Sequence, residues 1–284
     1  MRSAITIAMV VLLLCSGRLS HAAEDQRNAM EHFVLGCTAY EQADYEEATR
    51  LFAEAAKLSA EYSDRDISIR TMLARSSFHE GSTTQALAAL QTLETKYSGC
   101  DEVDSQSGGS FRNKALIGVA TTRAWIFSRT KQYESAIENL RMEAKRYSML
   151  TDEMRMLNEA EKAYQKLGGQ NGTDLKIAEF YLQGGNRPAA LKTYESVLER
   201  YRQHGTLALL GRNQKDHEKV VDRYLTTVYL KKKMADCTND EMRYREALDA
   251  HRAVSEQATE ELKRWIGKEW EECERLKDRF NEQE

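Results

Sequence analysis

One proline, Pro188, stands in a chain of 284 residues, where average usage of roughly 5% would place about fourteen. Proline removes a backbone donor and breaks helix interiors, while sandwiches and barrels need many proline- and glycine-rich turns. With 15 glycines besides, the chain has the punctuation for long helices and too little for a many-stranded sheet. Its apolar fraction of 41% and charged fraction of 30% are those of a soluble, folded protein, and they exclude collagen-like and disulfide-dense classes. The formal charge of −4 becomes more negative still without Arg2 and Arg18. Such a balance argues against a nucleic-acid partner.

The first 22 residues read as an address. Arg2 supplies the basic start, Ile5 to Leu14 is an apolar run, and Ser20-His21-Ala22 offers the small residues of a cleavage site. The apolar run is too short to span a bilayer. Export with cleavage near Ala22 is the expectation; lipid attachment at Cys15, preceded by three leucines, is the alternative, and Leu14 stands where such a site normally has a small residue. Past the leader, Cys37, Cys100, Cys237 and Cys273 have neither C-x-x-C spacing nor histidine partners, so no metal and no cofactor is expected. A Cys100–Cys237 disulfide stays open at this level, as do the other pairings.

A unit of about 34 residues recurs, the period of the tetratricopeptide helix-turn-helix repeat. Residues 29–62 place Leu35, Gly36, Tyr40, Ala48, Phe52 and Ala55 at that motif's spacing, with Asp44 to Ala48 as the turn. Small residues at Gly36 and Ala48 let paired helices approach, and Tyr40 and Phe52 fill the space between them. Residues 67–100 repeat the pattern with Ala74, Phe78, Ala86 and Leu90, residues 117–150 with Ala124, Phe127, Ala136 and Leu140, and residues 171–204 with Ala178, Tyr181, Ala190 and Tyr194. The expected fold is all-α, a tetratricopeptide-type helical-hairpin solenoid over 23–205 followed by a C-terminal helical region over 206–284.

Several irregularities interrupt the units. Residues 99–113 read as a polar surface loop. Residues 152–167 read as an extra helix ended by Gly168-Gly169, which makes Gly168 to Gly172 a turn. A helix is expected over Lys215 to Met234. A last long helix starts near Asp240 and carries the seam Leu262, Ile266, Cys273, Leu276 and Phe280 beside Trp265 and Trp270. That seam either caps the last repeat or docks a partner through the two tryptophans.

No phosphate loop, zinc-protease motif, nucleophile elbow or dinucleotide fingerprint is present, and His32, His79, His204, His217 and His251 are scattered singly among polar neighbours, so the chain reads as no enzyme. Asn171-Gly172-Thr173 is a formal glycosylation sequon. The repeat itself offers a groove. Helix spacing assigns Phe33, Cys37 and Tyr40 to it in the first unit, Arg75, Phe78 and His79 in the second, and Trp125 and Arg129 in the third. Aromatic and arginine side chains together have the composition of a binding hot spot. For Tyr40 and Phe78 the competing reading is packing between hairpins; Arg75 and Trp125 are the stronger ligand contacts.

The stretch Asp174 to Tyr201, DLKIAEFYLQGGNRPAALKTYESVLERY, resembles the corresponding segment of the BamD (YfiO-type) proteins, the periplasm-facing tetratricopeptide components of the outer-membrane β-barrel assembly machinery. The helix ahead of that stretch and the Asp44 to Ala48 unit also fall where that family has theirs, and the likeness covers residues 29–205. Tyr147-Ser148 and Tyr201-Arg202 depart from the Tyr-Pro pairs usual there. The resemblance implies an outer-membrane-associated scaffold whose N-terminal repeats hold segments of unfolded outer-membrane proteins and whose C-terminal part contacts the barrel-forming subunit. Other exported repeat adaptors, resembling the TolA-binding coordinators or a secretory-lumen co-chaperone, are the alternative.

Overall fold

In a computed structural model the protein is described at residues 24–59, 62–104, 108–155, 157–204, 228–255, 271 and 275. The leader with Cys15, the greater part of 206–234, and Trp265, Trp270 and Cys273 lie outside the described residues. Two compact units divide the chain: Met1–Ile126 with Glu153–Arg155, and Phe127–Asp152 with Met156–Glu284.

Helix α1 covers residues 24–41. It is followed by α2 (Tyr45–Leu58), α3 (Asp64–His79), α4 (Thr83–Ser98), α5 (Phe111–Arg129), α6 (Tyr133–Glu153), α7 (Glu159–Gln183), α8 (Arg187–His204), α9 (Leu230–Thr238) and α10 (Glu241–Ser255). The described residues hold no strand beyond an isolated bridge between Val103 and Ser110. Neighbours in sequence are neighbours in space: α2 packs on α3, α3 on α4, α7 on α8, α8 on α9 and α9 on α10.

Four hairpin turns share one hydrogen-bond pattern. Ala43, Gly81, Lys131 and Gly185 each adopt positive φ, at 61°, 102°, 60° and 81°. The next residue's amide donates five residues back in every case, Asp44 to Ala39, Ser82 to Ser77, Gln132 to Phe127 and Asn186 to Tyr181, at 2.8 to 2.9 Å. The same four residues accept the first bond of the following helix, from Ala48, Ala86, Ala136 and Ala190. All four alanines are fully buried. Here the expected register holds, for the anticipated reason. A larger side chain at the inner face of the second helix would push the hairpin apart.

Close approach explains one glycine in the first hairpin. A β-carbon at Gly36 would lie 2.8 Å from the Phe52 ring. Caps then set the helix starts: Asp44, Ser63, Ser82 and Asn158 each accept an amide three residues on. Pro188 sits in the first turn of α8, where its missing amide costs no helical bond.

A buried charge fastens the first unit. Asp66 is fully buried, and its carboxylate accepts from Ser59 Oγ at 2.6 Å, Arg70 Nε at 2.8 Å, Tyr97 Oη at 2.9 Å and Lys96 Nζ at 3.1 Å. Burial alone pushes this carboxyl up, but the four donors outweigh it and hold it below the usual carboxylate range. Burial and the Asp66 charge push the Tyr97 phenol up.

Two features differ from the sequence expectation. No helix ends at Gly168-Gly169: α7 runs without interruption from Glu159 through residues 168–172 to Gln183. Glycine costs about 1 kcal/mol per residue in a helix interior, so tertiary contacts must outweigh propensity here. At Gly169 a β-carbon would lie 2.8 Å from the Tyr147 ring on α6, and two residues on, Asn171 is fully buried with its Oδ1 accepting from Arg200 Nε at 2.7 Å. The glycine marks close packing instead of a stop. The second difference concerns histidine. His251 is buried within α10, although its sequence neighbours suggest a solvated ring. Cys37, Cys100 and Cys237 are free thiols, and burial pushes the Cys37 and Cys237 thiols up.

Candidate peptide-binding cleft

The first unit gathers aromatic residues at the C-terminal ends of α1, α3 and α5. Tyr40 lies in the last turn of α1, His79 ends α3, and Trp125 lies one turn before the end of α5. Tyr45, the first residue of α2, stacks on His79 with 4.5 Å between centroids and 13° between planes. Tyr40 meets both edge-on, at 5.4 Å and 5.5 Å. On the other side His79 lies 5.2 Å from Trp125, which Phe78 meets edge-on at 5.0 Å. These separations are in the attractive range for aromatic pairs. The result is a ladder running Tyr45, His79, Trp125.

Arg75 completes it. Its guanidinium carbon lies 6.0 Å from the Trp125 ring centroid, the outer limit of a cation–π contact. The Arg75 Nε is buried and meets no hydrogen-bond acceptor, and no ion pair of Arg75 occurs among the described residues. At the opposite end of the ladder, Asp44, Glu46, Glu47, Thr49, Arg50 and Glu80 line a cleft of about 480 Å³. Glu47 is engaged there by Arg50, at 2.6 Å and 2.7 Å.

Of the groove residues expected from helix spacing, the structure brings Tyr40, Arg75, Phe78 and Trp125 together. Phe78 and Trp125 also lean on the core formed by Ile67, Ala74, Leu90, Leu93 and Ile126, so they serve packing and surface at once. Phe33 instead faces Phe52 at 5.8 Å within the first hairpin's core, and Cys37 packs there too. Arg129 is exposed at the end of α5, in the second unit. Tyr45 escaped sequence reasoning because it sits in the turn segment and looks like punctuation. No local spacing signals the stack, since Tyr45 opens α2 and His79 closes α3 of the next hairpin. Among the described residues no cluster of histidine, cysteine and carboxylate side chains could hold a metal ion, and no helix is long and apolar enough to cross a membrane.

The second unit closes the equivalent place with its own side chains. Counted back from the positive-φ turn residue, Glu179 occupies the position of Arg75 and Trp125. It accepts from Tyr229 Oη at 2.6 Å and lies 3.9 Å from Lys233 Nζ.

A model of the tetratricopeptide repeat matches residues 173–204, the latter part of α7 and all of α8. No curated protein matches the chain. Among solved structures, it is similar to nearly identical TPR-like repeats from a Podosopora anserina protein described as a kinesin light chain, at 12% identity and a TM-score of 0.52, over 83% of this chain and 98% of that one. A variant of those repeats carrying one substitution gives 13% identity and a TM-score of 0.50, over 82% and 96%. At such identity the likeness is one of fold alone. Repeat and fold together support the tetratricopeptide superfamily.

Proposed function

We propose that the protein is an exported, non-enzymatic scaffold of the BamD type, which holds an extended polypeptide segment against the Tyr45–His79–Trp125 ladder of its first unit and docks an assembly partner through its C-terminal part. The ladder is the observation that carries this reading. Aromatic faces offer large contact area with little side-chain entropy to lose, and they anchor peptide binding wherever they are reachable from solvent. The resemblance of residues 174–201 to the barrel-assembly component supplies the partner class, and the leader over 1–22 supplies the address.

Burial of Asn171 removes the sequon as support for a secretory-lumen version of the scaffold. Its Nδ2 is buried and its Oδ1 is held by Arg200, so a glycan on that atom is incompatible with the packing of α7 on α8.

Affinity capture from an envelope extract tests the proposal, with the mature chain and its Trp125→Ala variant as baits. Recovery of the barrel-forming subunit on both baits, and of unfolded outer-membrane proteins on the unaltered bait alone, is the expected result. Failure to recover any barrel-assembly component, where an authentic family member recovers it, overturns the reading.

A further inference from the structure

We propose that the face running from Arg75 along the aromatic ladder to the acidic cleft reads charge order: it takes a segment with an acidic side chain opposite Arg75 and a basic side chain against Asp44, Glu46 and Glu80. This rests on that face being a peptide site and goes on to name the peptide's chemistry. Arg75 supplies the first half. Trp125 covers one side of its guanidinium, its Nε is buried without an acceptor, and a planar guanidinium so placed is geometrically ready for a carboxylate.

The other end has the opposite sign. Asp44, Glu46 and Glu80 are exposed beside Tyr45 and His79. Arg50, the cation among them, is taken up by Glu47. Between the two ends lie the rings of Trp125, His79 and Tyr45; His79 and Tyr45 are stacked face to face, so the edges of the ladder, with His79 its exposed member, form the wall for apolar or aromatic side chains. Arg75 and His79 are one helical turn apart and Tyr45 is stacked 4.5 Å beyond. Three or four extended residues, at about 3.3 Å each, cover that distance. The complementary occupant is therefore a short zwitterionic stretch with an apolar middle.

Fluorescence anisotropy on the full mature chain tests this with labelled, end-blocked peptides bearing Glu-Leu-Phe-Lys, Lys-Phe-Leu-Glu or Gln-Leu-Phe-Gln between glycine spacers. Blocked ends exclude a terminal carboxylate as the source. One charged order is expected to bind about tenfold more tightly than the other two peptides, as for a charge-assisted contact. The preference should vanish in Arg75→Gln and shrink in Glu46→Gln/Glu80→Gln, with helicity by circular dichroism unchanged. Equal binding of all three peptides, lost in Trp125→Ala, overturns charge order while leaving the peptide cleft standing. Absence of binding by every peptide to a folded chain overturns both.

Discussion

The two units are built with the same turn and differ in what they do with the position six residues before it. In the first unit, Arg75 and Trp125 occupy that place on successive hairpins; the guanidinium lies against the Trp125 ring and its Nε meets no acceptor among the described residues. In the second, Glu179 occupies it and is satisfied by Tyr229 and Lys233 from α9 and the residues just before it. Identical backbone grammar thus yields an open site in one unit and an internally closed one in the other. The turn decides where a side chain stands, and the neighbouring element decides whether it is left for a ligand.

Variants can break this comparison at several strengths. The largest effect is expected at Asp66, which has no counterpart charge as deeply enclosed among the described acidic residues of the second unit. Asp66→Asn removes the charge that Arg70 and Lys96 share, and loss of one member of a buried pair costs about 3–5 kcal/mol. Because the folded carboxyl titrates below its unfolded value, its contribution is fully present above about pH 4 and is lost as pH falls through the folded value. Denaturant unfolding as a function of pH should show the gap between wild type and variant closing in acid; a gap that persists at about pH 2, below the ordinary carboxylate range, would contradict the linkage.

Next comes the shared grammar. Ala48→Leu in the first unit and Ala190→Leu in the second should each cost about 1–3 kcal/mol by overpacking, measured by thermal melts. A clear effect in one unit only would show that the two hairpins are not equivalently packed. The open and closed sites separate at about 1 kcal/mol. Glu179→Gln gives up the charge on its bond with Tyr229 and should lower stability by that amount, whereas Arg75→Gln removes no hydrogen bond to the described residues and should leave the melting temperature essentially where it was.

The finest contrast lies within one helix. Gly172 has open space around its missing β-carbon, while Gly169 has the Tyr147 ring. Gly172→Ala should stabilise by about 0.5–1 kcal/mol. Gly169→Ala should destabilise unless Tyr147 moves. Chemical denaturation of the two variants side by side reads both signs.

How far these features can be read without coordinates depends on whether the cause is local. Ala48, Ala86, Ala136 and Ala190 were legible because each is tied to its turn four residues back, and turn chemistry is written in adjacent letters. The stop of α7 at Gly184-Gly185-Asn186 is written in adjacent letters too, but the sequence reading set the stop at Gly168-Gly169 instead. The middle of α7 was not legible, because Gly168 to Gly172 has the composition of a loop, and only Tyr147 and Arg200, distant in sequence, say otherwise. The aromatic cluster was half legible: helix spacing put Tyr40, Arg75, Phe78 and Trp125 on one face, but stacking of Tyr45 on His79 depends on how one hairpin nests against the next.

A rod that passes through three glycines within five residues has little tendency to coil by itself. Residues 168–172 therefore acquire their helical form from a mould made by α6 and α8, and can do so only once that mould exists. They should order late in folding and be the earliest part of α7 to give up its amide protons to deuterium, at a place where nothing on the surface of the chain would draw the eye.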